Sequence, residues 1–187
     1  MLTQLRLAAI AAVTLAVVSA SQASAFWPFG AETRVDLAPA YGGVCEDCDL
    51  SGRILTGARM TNSNFSRSDF SNAVLTRADA SHSEFDGSNF TQADLSRARL
   101  IDASCPHARF DRARLQQTDA RGADFTRANF GSADVTRMNL EGADLSGADL
   151  SGADLTGADL TGADVDSTIL TGVKGLDTVV GWAAVRN

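Results

Sequence analysis

Ala143-Asp144-Leu145-Ser146-Gly147 is followed without interruption by Ala148-Asp149-Leu150-Ser151-Gly152, Ala153-Asp154-Leu155-Thr156-Gly157 and Ala158-Asp159-Leu160-Thr161-Gly162. A period of five is neither the 3.6 of a helix nor the 2 of a half-buried strand. The register extends far beyond this block. Every fifth residue from position 50 to position 170 gives 25 positions, holding 12 Leu, 7 Phe, 2 Val and 2 Ala together with Met60 and Cys105. Phe65, Phe70, Phe85, Phe90, Phe110, Phe125 and Phe130 all stand on this register, and the two other Phe precede it. Two residues before each large position the tally is 16 Ala, 4 Ser and 2 Thr, with Cys48, Arg53 and Met138 the only departures. Each quintet therefore offers one large and one small side chain to an interior.

These quintets match an A(D/N)LxG pattern, by which residues 48–172 resemble the pentapeptide-repeat family. The resemblance implies an all-β fold, a right-handed quadrilateral β-helix in which each quintet forms one side of a square coil and four quintets complete a turn. It divides the chain into an amino-terminal segment or cap (26–44), a solenoid (45–172) and a carboxy-terminal cap (173–187), all after a leader at 1–25. With 25 quintets there are about six coils, a rod roughly 30 Å long.

The residues offer an independent check. If 20 residues make a coil, residues 20 apart stack and residues 10 apart face each other across the core. Phe70 then faces Ala80 and Phe110 faces Ala120, the only two Ala among the large positions. A close-packed interior punishes voids and overpacking alike, so a small residue opposite a Phe is what a narrow core requires. Phe70, Phe90, Phe110 and Phe130 should form a ladder at the strand spacing of roughly 4.8 Å.

The first 25 residues are read as a cleavable secretory signal. Arg6 precedes a largely apolar run over residues 7–18, and Ala23-Ser24-Ala25 supplies a small-x-small ending, with cleavage between Ala25 and Phe26. Twelve residues fall short of the roughly 20 that a spanning helix needs; an uncleaved anchor is the alternative. No transmembrane segment is expected after cleavage, and the mature chain is expected in the periplasm or outside the cell.

Without residues 1–25 the chain keeps 15 basic and 23 acidic side chains, a net charge of −8, which argues against direct binding to nucleic acid. Along the outward positions charges alternate, as in Arg59, Asp79, Arg99, Asp119, Asn139, Asp159 and in Asp94, Arg114, Asp134, so neighbouring coils should pair laterally. The axis is nevertheless polarised. Residues 51–137 hold 12 Arg and 10 acids, whereas 138–173 hold 7 acids and no base. Asp124, Asp144 and Asp164 would stack in one column, where carboxylates roughly 5 Å apart should repel unless a cation or basic partner intervenes. With Asp149, Asp154 and Asp159 they form the candidate partner-binding surface; the other reading is an idealised repeat block. A calcium site is weakly indicated, because no Asp-x-Asp-x-Asp-Gly loop is present.

Three Cys in an exported chain suggest one disulfide and one free thiol. Cys45 and Cys48 are the disulfide candidate, pinning the open end of the coil; reduced thiols, or redox or metal chemistry, are the alternatives. Cys105 lies three coils away, roughly 14 Å, beyond the disulfide limit of about 7 Å, and is expected to be a buried thiol. Pro106 should break one ladder bond. At the other end Val179, Val180 and Trp182 are candidates for a cap or for a homodimer face, since family members often end in a dimer-forming segment.

Catalysis has almost no support: no Ser-His-Asp set, phosphate loop or HExxH appears, and His82 and His107 sit on different sides. No catalytic residue, cofactor or metal is expected. The primary reading is a non-enzymatic exported scaffold that binds an unidentified protein or supports the cell envelope. Some members of the family resemble B-form DNA and bind type II topoisomerases, a cytoplasmic alternative that the leader and the 12 Arg oppose. A thiol-redox role through Cys45 and Cys48 is the third.

Overall fold

A computed structural model describes residues 43–185. The leader at 1–25, the cleavage point at Ala25 and Phe26, and most of the segment 26–44 lie outside the described residues. Within them the chain closes a parallel ladder of single-residue bridges, each joining a residue to the one 20 further on, from Val44 with Asn64 to Asp154 with Lys174. Four bridges recur in every 20 residues, so the backbone winds with four sides per coil, each side touching its neighbours at one residue rather than along an extended strand.

The period of five arises at the corners. The second residue after each large position has positive φ throughout, from 51° at Asp102 to 70° at Gly152. That left-handed residue turns the chain sharply, and a non-Gly residue held there carries strain of about 1 kcal/mol or more. Packing overrides the local preference at 16 such positions, among them Arg67, Arg77, Arg97, Arg112, Arg127 and Arg137.

Hydrogen bonding explains why the repeat tolerates so many sequences. In the coil around Leu95, the Leu95 N–H donates to the Arg114 carbonyl (2.7 Å), Arg97 N–H to Gln116 (2.9 Å) and Asp94 N–H back to Ala73 (2.9 Å), while Ala98 N–H closes the corner on Leu95 (2.9 Å). Four of the five amides are thus satisfied by backbone. The fifth, on the residue just after the large position, has no ladder partner. Pro106 occupies that slot, so the expected broken ladder bond does not occur: proline removes an N–H that the ladder never uses, and its carbonyl still accepts from Gly87 N–H at 2.9 Å.

Inside, Leu, Phe and Ala of the two inward positions form one continuous buried core. Phe70, Phe90, Phe110 and Phe130 stack with centroids 4.8, 4.9 and 4.8 Å apart, and Phe65, Phe85 and Phe125 meet this column edge-on or pack beside it. Phe70 and Phe110 are fully enclosed, as is Ala120, and Ala80 nearly so. Polar residues at the small position are accommodated because their hydroxyls reach the carbonyl 23 residues earlier: Ser68 to Cys45, Ser88 to Phe65, Thr118 to Leu95 and Thr168 to Leu145, all within 2.9 Å. A buried hydroxyl without such a partner would be destabilising.

At the carboxy-terminal end the quintet geometry continues past Leu170 through Val173 and Lys174, because Thr171-Gly172 still supplies a corner. It stops at Gly175 (φ 72°), after which a 3₁₀ turn (Leu176–Thr178) adds one residue, so that Val180 rather than Val179 bridges Asp159. A short helix (Trp182–Val185) follows.

Candidate interaction surfaces

Because the inward side chains are committed to the core, recognition must come from the outward position and the two corner positions of each quintet. The orphan corner amide explains the Asp and Asn among the outward residues. Asp144 Oδ1 accepts Ser146 N–H at 2.8 Å, Asp149 accepts Ser151 (2.8 Å), Asp154 accepts Thr156 (3.0 Å), Asp159 accepts Thr161 (2.9 Å), Asp164 accepts Asp166 (2.9 Å) and Asp124 accepts Thr126 (2.8 Å). Asn89, Asn129 and Asn139 do the same for Thr91, Gly131 and Glu141. An Asx side chain that bonds the amide two residues on is a local turn device, so all six candidate partner-binding Asp have a structural reason to be Asp or Asn.

The bridges place Asp124, Asp144 and Asp164 in one column, as expected. The Asp144 carboxyl is nevertheless held below its ordinary range, first by the Ser146 hydroxyl and amide and further by Thr126. Asp154 and Asp159 are lowered in the same way by Thr156 and Thr161. Hydrogen bonds to the charged form thus stabilise the ionised carboxylates without a cation. Among the described residues no group of three His, Cys, Asp or Glu is arranged to hold a metal ion.

The lateral ion pairs form in part. Arg99 meets Asp79 at 3.6 Å and Arg114 meets Asp94 at 3.5 Å, both across one coil. Asp119 is instead taken by Arg121 of its own corner in a two-pronged contact at 2.9 Å, which lowers its carboxyl, and Asp134 accepts the Gln116 amide. Exposed pairs of this kind contribute about 0–1 kcal/mol each.

At the amino-terminal edge Cys45 and Cys48 are joined by a disulfide with a Cα separation of 5.6 Å. Between them Glu46 and Asp47 grip the Arg67 guanidinium of the next coil at 2.9 Å, and Ser68 Oγ donates to the Cys45 carbonyl. Cys105 is wholly buried at a large position, and burial, with a smaller push from Asp124, raises its thiol far above the ordinary range. His82 and His107 occupy different corners, and His82 lies 3.7 Å from Asp102.

The carboxy-terminal end is only half closed. Trp182, Val179, Val173, Leu170 and Val165 are partly buried against the core, while Ile169 and Val180 are 48% and 53% exposed. The structure thus packs Val179 and Trp182 against the core and leaves Val180 on the outside, where it bridges Asp159.

One basic feature escaped the reading of the outward columns, which followed a single position per quintet. The corner column Gly57, Arg77, Arg97, Gln117, Arg137, Gly157 carries three Arg and no acid. The signal was present in the sequence, as Arg recurring 20 residues apart.

With this geometry in view, a family model for pentapeptide repeats matches eight copies, over residues 45–79, 54–92, 93–131, 108–147 and 136–172. No curated protein matches the chain. Similar solved structures include HetL, a pentapeptide repeat protein involved in heterocyst differentiation regulation from Nostoc sp. strain PCC 7120, at 22% identity and a TM-score of 0.22 over 76% of this chain and 92% of that one. A pentapeptide repeat protein from the Arabidopsis thaliana thylakoid lumen is 29% identical with a TM-score of 0.35, over 62% of this chain and 66% of that one. QnrB1, a plasmid-mediated fluoroquinolone resistance protein, is 23% identical with a TM-score of 0.35, over 75% and 95%.

Proposed function

The chain belongs to the pentapeptide-repeat family, whose members fold as right-handed quadrilateral β-helices and are generally non-enzymatic binders, and on that basis we propose that it is an exported scaffold of about six coils that engages a protein partner in the cell envelope. The observation that carries the reading is the ladder itself. It runs unbroken from Val44 to Val180, commits the inward Leu, Phe and Ala side chains to packing and leaves four sides of fixed spacing for contact with another molecule. Export rests on the leader pattern at residues 1–25. Among the described residues no helix is long and apolar enough to cross a membrane. The partly exposed apolar end around Trp182 and Val180 supports self-association through the carboxy-terminal segment.

Fractionation of the native host, with intact-mass analysis and a pull-down from the same fraction, tests this. A periplasmic chain starting at Phe26, lighter by the two hydrogens of one disulfide and co-purifying with a protein, is the expected result. A full-length cytoplasmic chain would overturn the export argument and make a topoisomerase assay the next step, with the acidic stretch 138–173 as the surface to mutate. Redox-active turnover of the Cys45–Cys48 pair would replace the scaffold reading with a thiol-redox one.

A further inference from the structure

On the side whose outward column runs Ile54, Val74, Asp94, Arg114, Asp134 the surface is indented by a groove of about 470 Å³. Arg77 and Arg97 rise from the corner along one rim, Arg114 stands on the other, and the hydroxyls and amides of Thr76, Ser96, Gln116 and Gln117 line the space between. Among the described residues no aromatic ring lines it.

Two observations set this groove apart from the ladder pairing that explains most surface charge. First, Arg77 and Arg97 are stacked 20 residues apart, and like charges directly opposite one another across a ladder are destabilising. Asp94, the sole acid lining the groove among the described residues, is already engaged by Arg114 at 3.5 Å. Among the described residues the Arg77 guanidinium has neither a hydrogen bond nor an ion pair, and the Arg97 guanidinium donates only to the neutral Gln117 Oε1, at 3.0 Å. Second, the other role of a corner arginine is missing here. The stems of Arg67, Arg127 and Arg137 lie over Gly87, Gly147 and Gly157 of the next coil, 3.3–3.9 Å from where a Cβ would stand. Above Arg77 and Arg97 come Arg97 and Gln117, which have side chains of their own and no bare glycine to cover.

We propose that this groove binds a small polyhydroxylated oxyanion, a sugar or polyol carrying a carboxylate or a phosphate. Guanidinium forks match the geometry of both anions and bind them in pairs of parallel hydrogen bonds. An anion held between Arg77 and Arg97 relieves their repulsion. The remaining lining is of the kind that pairs with ligand hydroxyls: the Ser96 hydroxyl already donates to Gln116 Oε1 at 2.6 Å and keeps its lone pairs for a ligand O–H. A volume of this size falls within the range of small-ligand sites, which lies at roughly 300–1,000 Å³. The lack of an aromatic platform, together with the net positive lining, selects an acidic sugar over a neutral one.

Titration calorimetry at low salt on the purified protein, with glucose 6-phosphate, glucuronate, glucose and inorganic phosphate as probes, tests the assignment. At least one of the two acidic sugars should bind saturably, at least about tenfold more tightly than either glucose or inorganic phosphate, and which of the two it is identifies the anion. Arg77→Gln and Arg97→Gln should each weaken that binding about tenfold or more. Arg112→Gln, at an equivalent left-handed position on a different corner, should leave it unchanged, and far-ultraviolet dichroism verifies that all three variants are folded. Absence of saturable binding by either acidic sugar overturns the proposal. So does inorganic phosphate binding as tightly as glucose 6-phosphate, or an equal loss in Arg112→Gln, which would reduce the effect to overall charge.

Discussion

The pairing of Phe110 with Ala120 across the core can be tested by exchanging them. Phe110 is fully buried, with Phe90 and Phe130 stacked at 4.9 and 4.8 Å and Phe125 edge-on at 5.7 Å. Phe110→Ala removes the ring from a column that cannot collapse, because the coil spacing is fixed by the ladder, and should cost about 3–5 kcal/mol. Ala120→Phe forces a second ring into a coil that already holds Phe110 and Phe125 and should cost about 1–3 kcal/mol. If the two positions face each other, the double exchange restores the volume of that coil. It cannot restore the three ring contacts, worth about 0.5–1.5 kcal/mol each, so the double variant remains less stable than the parent. Its loss should nonetheless be about 2–3 kcal/mol smaller than the sum of the single losses, within the range of coupling between contacting residues. Urea unfolding of the four proteins, followed by dichroism with a common slope, measures the cycle. Additive losses, or a double variant worse than the sum, would refute the claim that volume is balanced across each coil.

Other consequences follow from single features. Gly175→Ala places a Cβ 2.6 Å from Thr156 Cα and 2.7 Å from its N, at φ 72°; the cap should detach, and hydrogen exchange at Val180, whose N–H bonds the Ala158 carbonyl at 2.9 Å, should lose its protection while the Leu95 amide keeps its own. The buried thiol of Cys105 should resist a thiol reagent in the native protein and titrate as one thiol per chain after denaturation with the Cys45–Cys48 bridge intact; two or three thiols would show that the bridge is not formed. Asp144, Asp154 and Asp159 have folded pKa values depressed below the reference 3.8, so their contribution is fully present above that value and is lost as pH falls through the lower folded values. The urea midpoint should therefore be flat from neutral pH to about 5 and decline below about 4. Asp144→Asn keeps an acceptor for the Ser146 amide, and at neutral pH it should unfold at nearly the same urea concentration as the parent, whereas Asp144→Ala should unfold earlier.

The interior was legible because its two positions recur without slipping: Leu50 and Leu170 can be placed in the same register by counting alone. The corner chemistry was harder to see. The Asp of each quintet looked like a charge column, and only hydrogen bonding shows that Asp144 and Asn139 do the same work for the amide two residues on. Pro106 was misjudged for the same reason, since nothing in the period says which amide the ladder leaves out. The groove at Arg77 and Arg97 was missed because lateral proximity of three columns depends on how the corner residues splay, which the sequence does not state. The carboxy-terminal cap began later than composition indicated, since Val173 and Lys174 still satisfy the geometry of the quintet.

A ladder that joins each residue to the one 20 ahead also fixes the arithmetic of insertion and deletion. Removing any 20 consecutive residues from the interior shortens the rod by one storey and leaves every downstream side chain on its own side. Removing five residues between Asp94 and Arg114 keeps the inside–outside pattern intact but rotates everything beyond the cut by a quarter turn, so that Arg114 would lose Asp94 as its neighbour and Phe110 would leave the stack on Phe90. Lineages of such a chain are therefore free to change length in whole storeys without disturbing a binding side, whereas a five-residue change brings a different pair of columns into line only by re-pairing the large side chains of the interior as well.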